Sequence, residues 1–212
     1  MPSLSRLFPA LLRLLPAAFA VALSACATRE DKTPATLLPP DLALRAGDIV
    51  FRQGESPASR AVLIADRIGE YSHIGIVADS GGQPYVVHAV PDEPDFPGDT
   101  DRIKMESPEE FFSTRRAAIG QVMRWPDSIA AAQAAETALR LYRKGLPFDH
   151  EYNDADSTSM YCTELVRYAF RSAGVSLEGT PARRIPLPGF KYPCFLPSSV
   201  ARAEGLQLLR AF

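Results

Sequence analysis

Two short apolar segments joined by a pair of glycines constrain the fold of this chain most strongly. The segments SHIGIVAD (72–79) and PYVVHAV (84–90) have the composition of β-strands, and Ser80-Gly81-Gly82-Gln83 between them is typical of a hairpin turn. Strands joined by so short a turn pair antiparallel, because a parallel pair needs a crossover of a dozen residues or more. The sequence therefore predicts an antiparallel sheet.

The remaining predicted elements are segregated along the chain. Strands are predicted at 46–52, 103–107, 117–125 and 206–212, and helices at 56–69, 127–144, 159–173 and 196–205, with a helical turn at 107–113. Strands and helices do not alternate as they do in parallel strand–helix–strand units. The pattern favours an α+β fold, an antiparallel sheet packed on helices.

The first 25 residues are predicted to be a signal peptide. They contain Arg6, Arg13, no acidic residue, and an apolar stretch over 14–23 that is too short to span a bilayer. The stretch ends in Leu23-Ser24-Ala25-Cys26, which resembles the lipobox of bacterial lipoproteins. This resemblance implies a lipid anchor on Cys26. An ordinary cleavage site beside a chance cysteine is the alternative.

The residue after Cys26 and the composition of the following segment bear on location and domain organisation. Ala27, rather than Asp, implies by resemblance the outer membrane of a double-membraned bacterium, facing the periplasm. Residues 26–41 lack periodicity and are rich in proline, so they are predicted to be the lipidated N-terminus and a tether. One folded domain then covers 42–212.

Charge and cysteine content limit the classes of partner. Without residues 1–25 the chain has 21 basic and 25 acidic residues, a formal charge of −4. Such a balance gives no reason to expect a nucleic acid partner. Three cysteines are too few for a disulfide scaffold, and no cofactor is predicted.

Cys162 lies in the first turn of the predicted helix 159–173, which the residues Ser157, Thr158 and Ser159 can cap. Free N–H groups at a helix N-terminus stabilise a thiolate and can hold an oxyanion. The helix places Cys162 on its apolar side, together with Leu165, Val166, Ala169 and Phe170. Since cysteines on such a stripe are often core residues, position alone leaves both interpretations open.

His73 and His88 lie on the two strands of the predicted hairpin. A turn at Ser80-Gly81 pairs them directly, a turn at Gly81-Gly82 makes them diagonal neighbours, and a three-residue turn places them on opposite faces. Two histidines on one face and a thiol at a helix start can supply a nucleophile, a base and an orienting residue. A pair of half-exposed histidines is the alternative. No C-x-x-C or H-x-x-x-H spacing supports zinc, so no metal is predicted.

Several segments together resemble a known family. The segments are GDIVFR (47–52), SHIGIV (72–77), YVVHAVP (85–91), LPFDHEYN (146–153) and YCTELV (161–166). They are similar to the YiiX/YebB-like hydrolases, circularly permuted relatives of the NlpC-type cell-wall peptidases with a papain-like fold. The resemblance spans residues 44–200 and includes the order of the histidine before the cysteine. It implies a permuted papain-like fold and a cysteine hydrolase.

The resemblance also implies residue roles. Cys162 matches the nucleophile, His73 the general base, and His88 the orienting position, where many members have Glu. A histidine there is also found in lecithin retinol acyltransferase relatives, which act on lipids. Among neighbouring residues, Tyr161, Asp149 and Glu164 are candidates for the substrate cleft, although a structural role for Glu164 at the helix start is the stronger interpretation. Cys194 is predicted to be a buried thiol.

Three functional hypotheses follow. The first is a lipid-anchored cysteine hydrolase that cleaves an amide bond in a small peptide or a peptidoglycan fragment. The second is a lipid acyl hydrolase or acyltransferase with the same three residues, which His88 favours. The third is an envelope binding module that retains the fold without catalysis.

Overall fold

A computed structural model describes residues 35–186 and 190–212. The predicted signal peptide, Cys26 and residues 27–34 of the predicted tether lie outside the described residues. Within the described ranges, no helix combines the length and the apolar character needed to cross a membrane.

A six-stranded antiparallel sheet is the centre of the fold. Its strands are β1 (Ile49–Gln53), β2 (His73–Ser80), β3 (Gln83–Val90), β4 (Arg102–Glu106), β5 (Ile119–Arg124) and β6 (Gln207–Ala211). They are arranged in the order β4-β3-β2-β1-β5-β6. The predicted strands therefore all form, and the α+β class is confirmed.

The hairpin of β2 and β3 turns at Gly81-Gly82, the second of the two-residue turns considered above. Ser80 pairs with Gln83 across the turn, and both glycines have positive φ, 68° and 80°. This combination fits a type I′ turn, whose twist matches that of the flanking strands. The register makes His73 and His88 diagonal neighbours on one face of the sheet.

Within the described residues, five helices accompany the sheet. They are α1 (Pro57–Ala65), α2 (Pro108–Phe111), α3 (Ser128–Arg143), α4 (Cys162–Ser172) and α5 (Pro197–Ala201). Asp127 caps α3 by accepting hydrogen bonds from the Ile129 and Ala130 N–H groups. Ile129 itself is 71% exposed, because the buried side of α3 consists of small residues such as Ala134 and Ala138.

Both faces of the sheet are covered. The larger core includes Ile74 and Ile76 of β2, the alanines of α3, and Leu165 and Phe170 of α4. On the opposite face, a smaller cluster joins Val77, Val86 and Val122 to Phe111 and Phe112. Phe212 and three leucines, Leu38, Leu42 and Leu44, complete this second cluster.

The packed part of the chain begins before residue 42, the predicted domain boundary. Thr36 forms an isolated bridge with Ser113, and the Leu37 N–H donates to the Phe112 carbonyl at 2.9 Å. Leu38 then packs on the smaller cluster. Apolar side chains within a proline-rich stretch explain this, since they bury area that a tether of polar residues would not.

Helix α4 starts later than predicted. It begins at Cys162, not at residue 159, and Tyr161 occupies the position before it. The expectation that Ser157, Thr158 or Ser159 caps the helix is therefore wrong. The Tyr161 N–H instead donates to Glu164 Oε2 at 3.4 Å, so the side chain of the third helical residue closes the helix start.

Candidate active site

One cavity brings Cys162 and His73 together. It lies where the start of α4 meets the sheet, between α1 and the loop that follows β3. Its lining includes Arg52 from β1, Ser72 and His73, Ala58, Ser59 and Val62 from α1, Pro91 and Glu93 from the loop, and Phe148, Tyr152 and Cys162. Residues far apart in the sequence thus form a single cleft.

Cys162 is the first residue of α4 and is partly exposed. A first helical residue has no carbonyl four residues earlier within the helix to bond, and no described residue accepts a hydrogen bond from the Cys162 N–H. That N–H is therefore available to a ligand next to the sulfur. Burial raises the pKa of the Cys162 thiol, while the backbone groups of Ile74 and Thr163 act in the opposite direction.

His73 and His88 form a directly bonded pair. The distance from His73 Nε2 to His88 Nδ1 is 2.8 Å, and the rings meet edge to face with centroids 5.1 Å apart. His88 is fully buried and His73 is almost so. Among the described residues, no hydrogen-bond partner occupies Nδ1 of His73, which leaves that nitrogen free to act in the cavity.

Glu106 lies behind His88, at the end of β4. Its Oε1 atom is 3.2 Å from His88 Nε2, although the two groups lack the alignment of a good hydrogen bond. Burial opposes ionisation of Glu106, but contact with His88 and the charges of Arg116 and Arg52 lower its pKa to about 2. Glu106 is therefore an anion at neutral pH.

One set of tautomers satisfies the whole chain of contacts. If Glu106 attracts the proton of His88 to Nε2, then Nδ1 of His88 is an acceptor and His73 Nε2–H donates to it. Nδ1 of His73 is then unprotonated and can accept a proton. The order Glu106, His88, His73 thus leaves the base in the form that deprotonates a thiol.

Buried charges and an aromatic ring support the histidine pair. The Phe111 ring lies 5.8 Å from that of His73 and 5.3 Å from that of His88. The Arg52 guanidinium stacks on the same ring at 4.6 Å and pairs with Glu93. Burial, and secondarily the positive charge of Arg52, lowers the pKa of His73 well below its usual value.

The directions of these two pKa changes describe the resting site. A thiol whose pKa is raised and an imidazole whose pKa is lowered are both neutral at neutral pH. Both directions favour the neutral thiol of Cys162 and the neutral imidazole of His73.

The three predicted cleft candidates do not line the cavity. Asp149 is buried and accepts hydrogen bonds from the N–H groups of Glu151 (2.8 Å) and Asn153 (2.5 Å). The Tyr161 hydroxyl donates to Asp154 at 3.2 Å and accepts from the Phe195 N–H at 3.1 Å. These two buried side chains, together with that of Glu164, hold the loop and helix that carry Cys162.

The buried position of Glu164 changes its protonation. The residue is 4% exposed, and burial together with the charge of Asp154 raises the pKa of its carboxyl to about 8. The carboxyl is therefore largely protonated at neutral pH. This placement agrees with the structural interpretation of Glu164 rather than with contact to a substrate.

Glu106 and Tyr152 are site residues that the sequence did not indicate. Tyr152 has a positive φ of 55° and stacks on Phe190 with centroids 4.3 Å apart. Asp149 organises the turn that presents it. A signal for Tyr152 existed in the Asp-x-x-x-Asn spacing of this loop, whereas Glu106 is near His88 only because β4 pairs with β3.

Cys194 and His150 lie outside the cavity. Cys194 is 1% exposed and unbonded to another cysteine, and burial raises its pKa to about 12. His150 is 64% exposed and faces Asp101, with 3.2 Å between Nε2 and Oδ2. Neither residue is among those that line the cavity.

The histidine pair does not fit a metal ion. Its facing nitrogens are 2.8 Å apart, whereas two imidazoles that share a zinc ion each need about 2.0–2.1 Å to it, in directions set by tetrahedral geometry. In residues 35–186 and 190–212, no three His, Cys, Asp or Glu side chains are grouped so that they could hold a metal.

The fold and this cavity define a papain-like cysteine hydrolase in which the histidines precede the cysteine. The family described as permuted papain-like amidase enzymes, YaeF/YiiX, C92 family, matches residues 43–182, more than half of the chain. The chain therefore belongs to this family. The predictions of a permuted papain-like fold and of a cysteine hydrolase are confirmed.

Comparison with solved structures agrees on the fold. The structure of the metalloprotein YiiX from Escherichia coli O157:H7 is similar, with a TM-score of 0.61 and 21% sequence identity. The match covers 84% of this chain and 97% of that one. Comparison with curated protein sequences gave no match.

Proposed function

We propose that this protein is a membrane-anchored cysteine hydrolase that cleaves an amide bond through Cys162, His73 and His88. The observation that carries the proposal is the geometry of the cavity, which is lined by Cys162 and by His73, while His73 is bonded to His88 at 2.8 Å. A small peptide or a peptidoglycan stem peptide is the proposed substrate, in keeping with the amidase family.

The mechanism follows from the tautomers described above. His73 Nδ1 takes the thiol proton as the Cys162 sulfur forms a bond to the amide carbon, and the Cys162 N–H stabilises the resulting oxyanion. His73 then returns the proton to the leaving amine as the C–N bond breaks. Water attacks the thioester with His73 again as base, which releases the acid and restores the thiol.

His88 and Glu106 have supporting roles in this mechanism. His88 holds the His73 ring and accepts from its Nε2–H, as a carboxylate does in many triads. When His73 becomes positively charged, the nearby carboxylate of Glu106 stabilises that charge through His88. A histidine in the orienting position would be a weak acceptor without such an anion.

Membrane attachment is proposed through lipidation of Cys26, with the domain at the outer membrane facing the periplasm. The lipobox resemblance of residues 23–26 supports this part of the proposal. Several acyl chains on one residue give stable attachment, whereas a single chain is marginal. Replacing Cys26 by Ala should move the protein from the membrane fraction to the soluble one. Unchanged fractionation after a high-salt wash, which releases protein held only by surface charge, would reject the anchor.

A thiol-reactive probe tests catalysis without knowledge of the substrate. Cys162 should be labelled faster than Cys194, which is buried and has a raised pKa. The labelling of Cys162 should slow in His73→Ala, because the base is lost. Equal, slow labelling of both cysteines would favour the binding module without catalysis.

A substrate panel decides between the two enzymatic hypotheses. A lipid acyl hydrolase or acyltransferase is the second candidate, favoured by His88 in place of the usual Glu. Muropeptides and phospholipids should be tested in parallel, with Cys162→Ser as the control that removes the nucleophile. Release of an amine from muropeptides supports the amidase, whereas turnover of phospholipid alone would replace it by the lipid enzyme.

A further inference from the structure

A groove beside the C-terminal end of α1 is both basic and apolar. It is lined by the end of α1 and by the segment 183–186, and we call it the α1 groove. Its lining includes Ile64, Arg67, Ile68, Arg183, Arg184 and Ile185.

The apolar part of the α1 groove is exposed. Ile64, near the end of α1, is 69% exposed, and Ile68, in the turn that follows the helix, is 40% exposed. Single exposed isoleucines are common on protein surfaces, but two beside one groove form an apolar patch of the kind found at protein and membrane interaction sites. Ile185, which is buried, adds a third apolar side chain to the lining.

The charged part of the α1 groove has no counter-charge. Within the described ranges, Arg67, Arg183 and Arg184 form no ion pair with a carboxylate. Other arginines of the domain do, including Arg52, Arg102, Arg116, Arg124 and Arg167. Asp66, the nearest acid in sequence, is buried and accepts from the Ser198 hydroxyl at 2.6 Å, so it does not neutralise the groove.

This surface contrasts with the rest of the chain. Beyond residue 25 the chain has more acidic than basic residues, yet no acidic residue lines the α1 groove. Basic charge concentrated on one face of an acidic protein indicates an anionic partner. Exposed isoleucines among those arginines indicate a partner that also accepts apolar side chains.

We propose that the α1 groove docks onto an anionic phospholipid surface. The isoleucines would insert at the headgroup and acyl boundary, and the arginines would bind lipid phosphates, for which guanidinium geometry is well suited. The same helix contributes Ala58, Ser59 and Val62 to the catalytic cavity. Docking therefore holds the cavity beside the bilayer, whatever reaction it catalyses.

The test is hydrogen exchange of the full chain on two kinds of vesicle. One contains phosphatidylcholine alone and the other contains about 30% phosphatidylglycerol, a content that gives a substantial negative surface potential. Exchange in peptides that cover 57–68 should slow about threefold or more on the anionic vesicles only. High salt should abolish the difference, because it screens surface charge.

Matched variants locate the effect. Ile64→Asp and the pair Arg67→Glu with Arg184→Glu should remove the slowing. Ile129→Asp and Arg143→Glu, which change equally exposed residues on α3, should retain it. Circular dichroism of each variant shows whether the fold is intact, and all of these positions are exposed enough to tolerate the change.

Each outcome decides the proposal. Slowed exchange of residues 57–68 that is confined to the anionic vesicles supports docking. Equal exchange of these residues on both kinds of vesicle overturns it. Slowing by soluble polyglutamate but not by anionic vesicles would assign the α1 groove to an acidic protein instead. None of these results depends on Cys162, so failure of the proposed chemistry is separable from failure of docking.

Discussion

At the scale of single residues, the Glu106 carboxylate lies next to His88 and reaches His73 only through it. His88 contacts His73 through Nδ1, and its other nitrogen is 3.2 Å from Glu106. An imidazole between two partners can donate to only one of them when it is neutral. The charge on Glu106 therefore favours the tautomer of His88 that carries its proton on Nε2, and so the tautomer of His73 in which Nδ1 is unprotonated.

Replacing Glu106 by Gln should lower kcat/KM by roughly tenfold to a thousandfold, in the range seen when a triad loses its orienting anion. A glutamine amide can donate to His88 Nε2, which would move the His88 proton to Nδ1 and leave His73 protonated at the nitrogen that must act as base. Steady-state kinetics on the active substrate of the panel measures the loss, and Glu106→Asp should restore part of the activity.

Glu110 provides the control for Glu106. It contacts Arg115 at 3.2 Å and Arg116 at 3.3 Å but no histidine, so Glu110→Gln should leave kcat/KM almost unchanged. Nitrogen chemical shifts of His88 should report a change of tautomer in Glu106→Gln alone. Equal activity losses in the two variants would mean that Glu106 acts only through the arginines.

Glu164 should make stability depend on pH. Its folded pKa of about 8 lies above the ordinary value of 4.5, so the folded state binds its proton more tightly than the unfolded state does. That contribution is fully present below pH 4.5 and is lost as pH rises through 8. Glu164→Gln keeps an acceptor for the Tyr161 N–H and has no charge to bury.

The variant Glu164→Gln should therefore gain stability over the wild type between pH 5 and pH 9, by on the order of a few kcal/mol. Urea unfolding at the two pH values measures the difference. Glu136→Gln is the control, because Glu136 is an exposed residue of α3, and its effect should not change with pH. A constant difference for Glu164→Gln would contradict the raised pKa.

At the scale of elements, the hairpin determines whether the two histidines meet. Side chains alternate between the faces of a sheet, so a change of one residue in the turn reverses the face on which every later β3 residue lies. The Gly81-Gly82 turn, with positive φ at both residues, selects the register in which His88 lies diagonal to His73. Local backbone geometry is thus a condition for the site.

Substituting Gly82 by Ala should destabilise the protein by about 1 kcal/mol, because L residues other than glycine are strained at positive φ. A new Cβ at Gly82 would meet no atom within 4 Å, so the loss comes from the backbone alone. Gly82→Asn should cost less, since asparagine tolerates this conformation. Urea unfolding measures both, and equal losses would show that φ is not the cause.

Elements were predictable from the sequence where their cause is local. The glycine pair predicted the hairpin, and the apolar stripe of residues 162–170 predicted the side of α4 that is buried. The residue that closes the start of α4 was not predictable from composition alone. Ser157, Thr158, Ser159 and Glu164 can all accept hydrogen bonds from free N–H groups at a helix start. Ile129 lies on the exposed side of α3, since the tightly packed side selects alanine.

Site residues were predictable in the same way. Cys162, His73 and His88 stand in patterned segments, and the sequence indicated each of them. Glu106 reaches His88 through the pairing of β3 with β4, and Arg52 reaches Phe111 across 59 positions. Such contacts cannot be predicted from neighbouring residues in the sequence, because they depend on the order of the strands in the sheet.

At the scale of the whole molecule, segments from both ends of the folded domain pack on one face of the sheet. Phe212 packs edge to face on Phe112 with centroids 5.0 Å apart, and its backbone exchanges hydrogen bonds with Gly120 at 2.6 and 2.9 Å. Leu38 and Leu42 pack on the same cluster from the other end. This cluster also contains Phe111, which contacts both histidines.

Replacing Phe212 by Ala should lower the free energy of unfolding by about 2 kcal/mol, less than for a fully buried phenylalanine because this ring is partly exposed. Leu208→Ala, in the adjoining strand β6, is the matched control, since Leu208 is 58% exposed, and it should cost little. Thermal unfolding measures both. A similar loss in the two variants would mean that β6 contributes as a strand rather than through the Phe212 ring.

The cavity contains groups from β1, β2, α1, a loop and α4, drawn from positions 52 to 162 of the chain. Until α4 docks on the sheet, the chain carries an ordinary thiol and isolated imidazoles. Cys162 therefore meets its proposed base only in the folded domain, so an incompletely folded chain lacks the proposed activity.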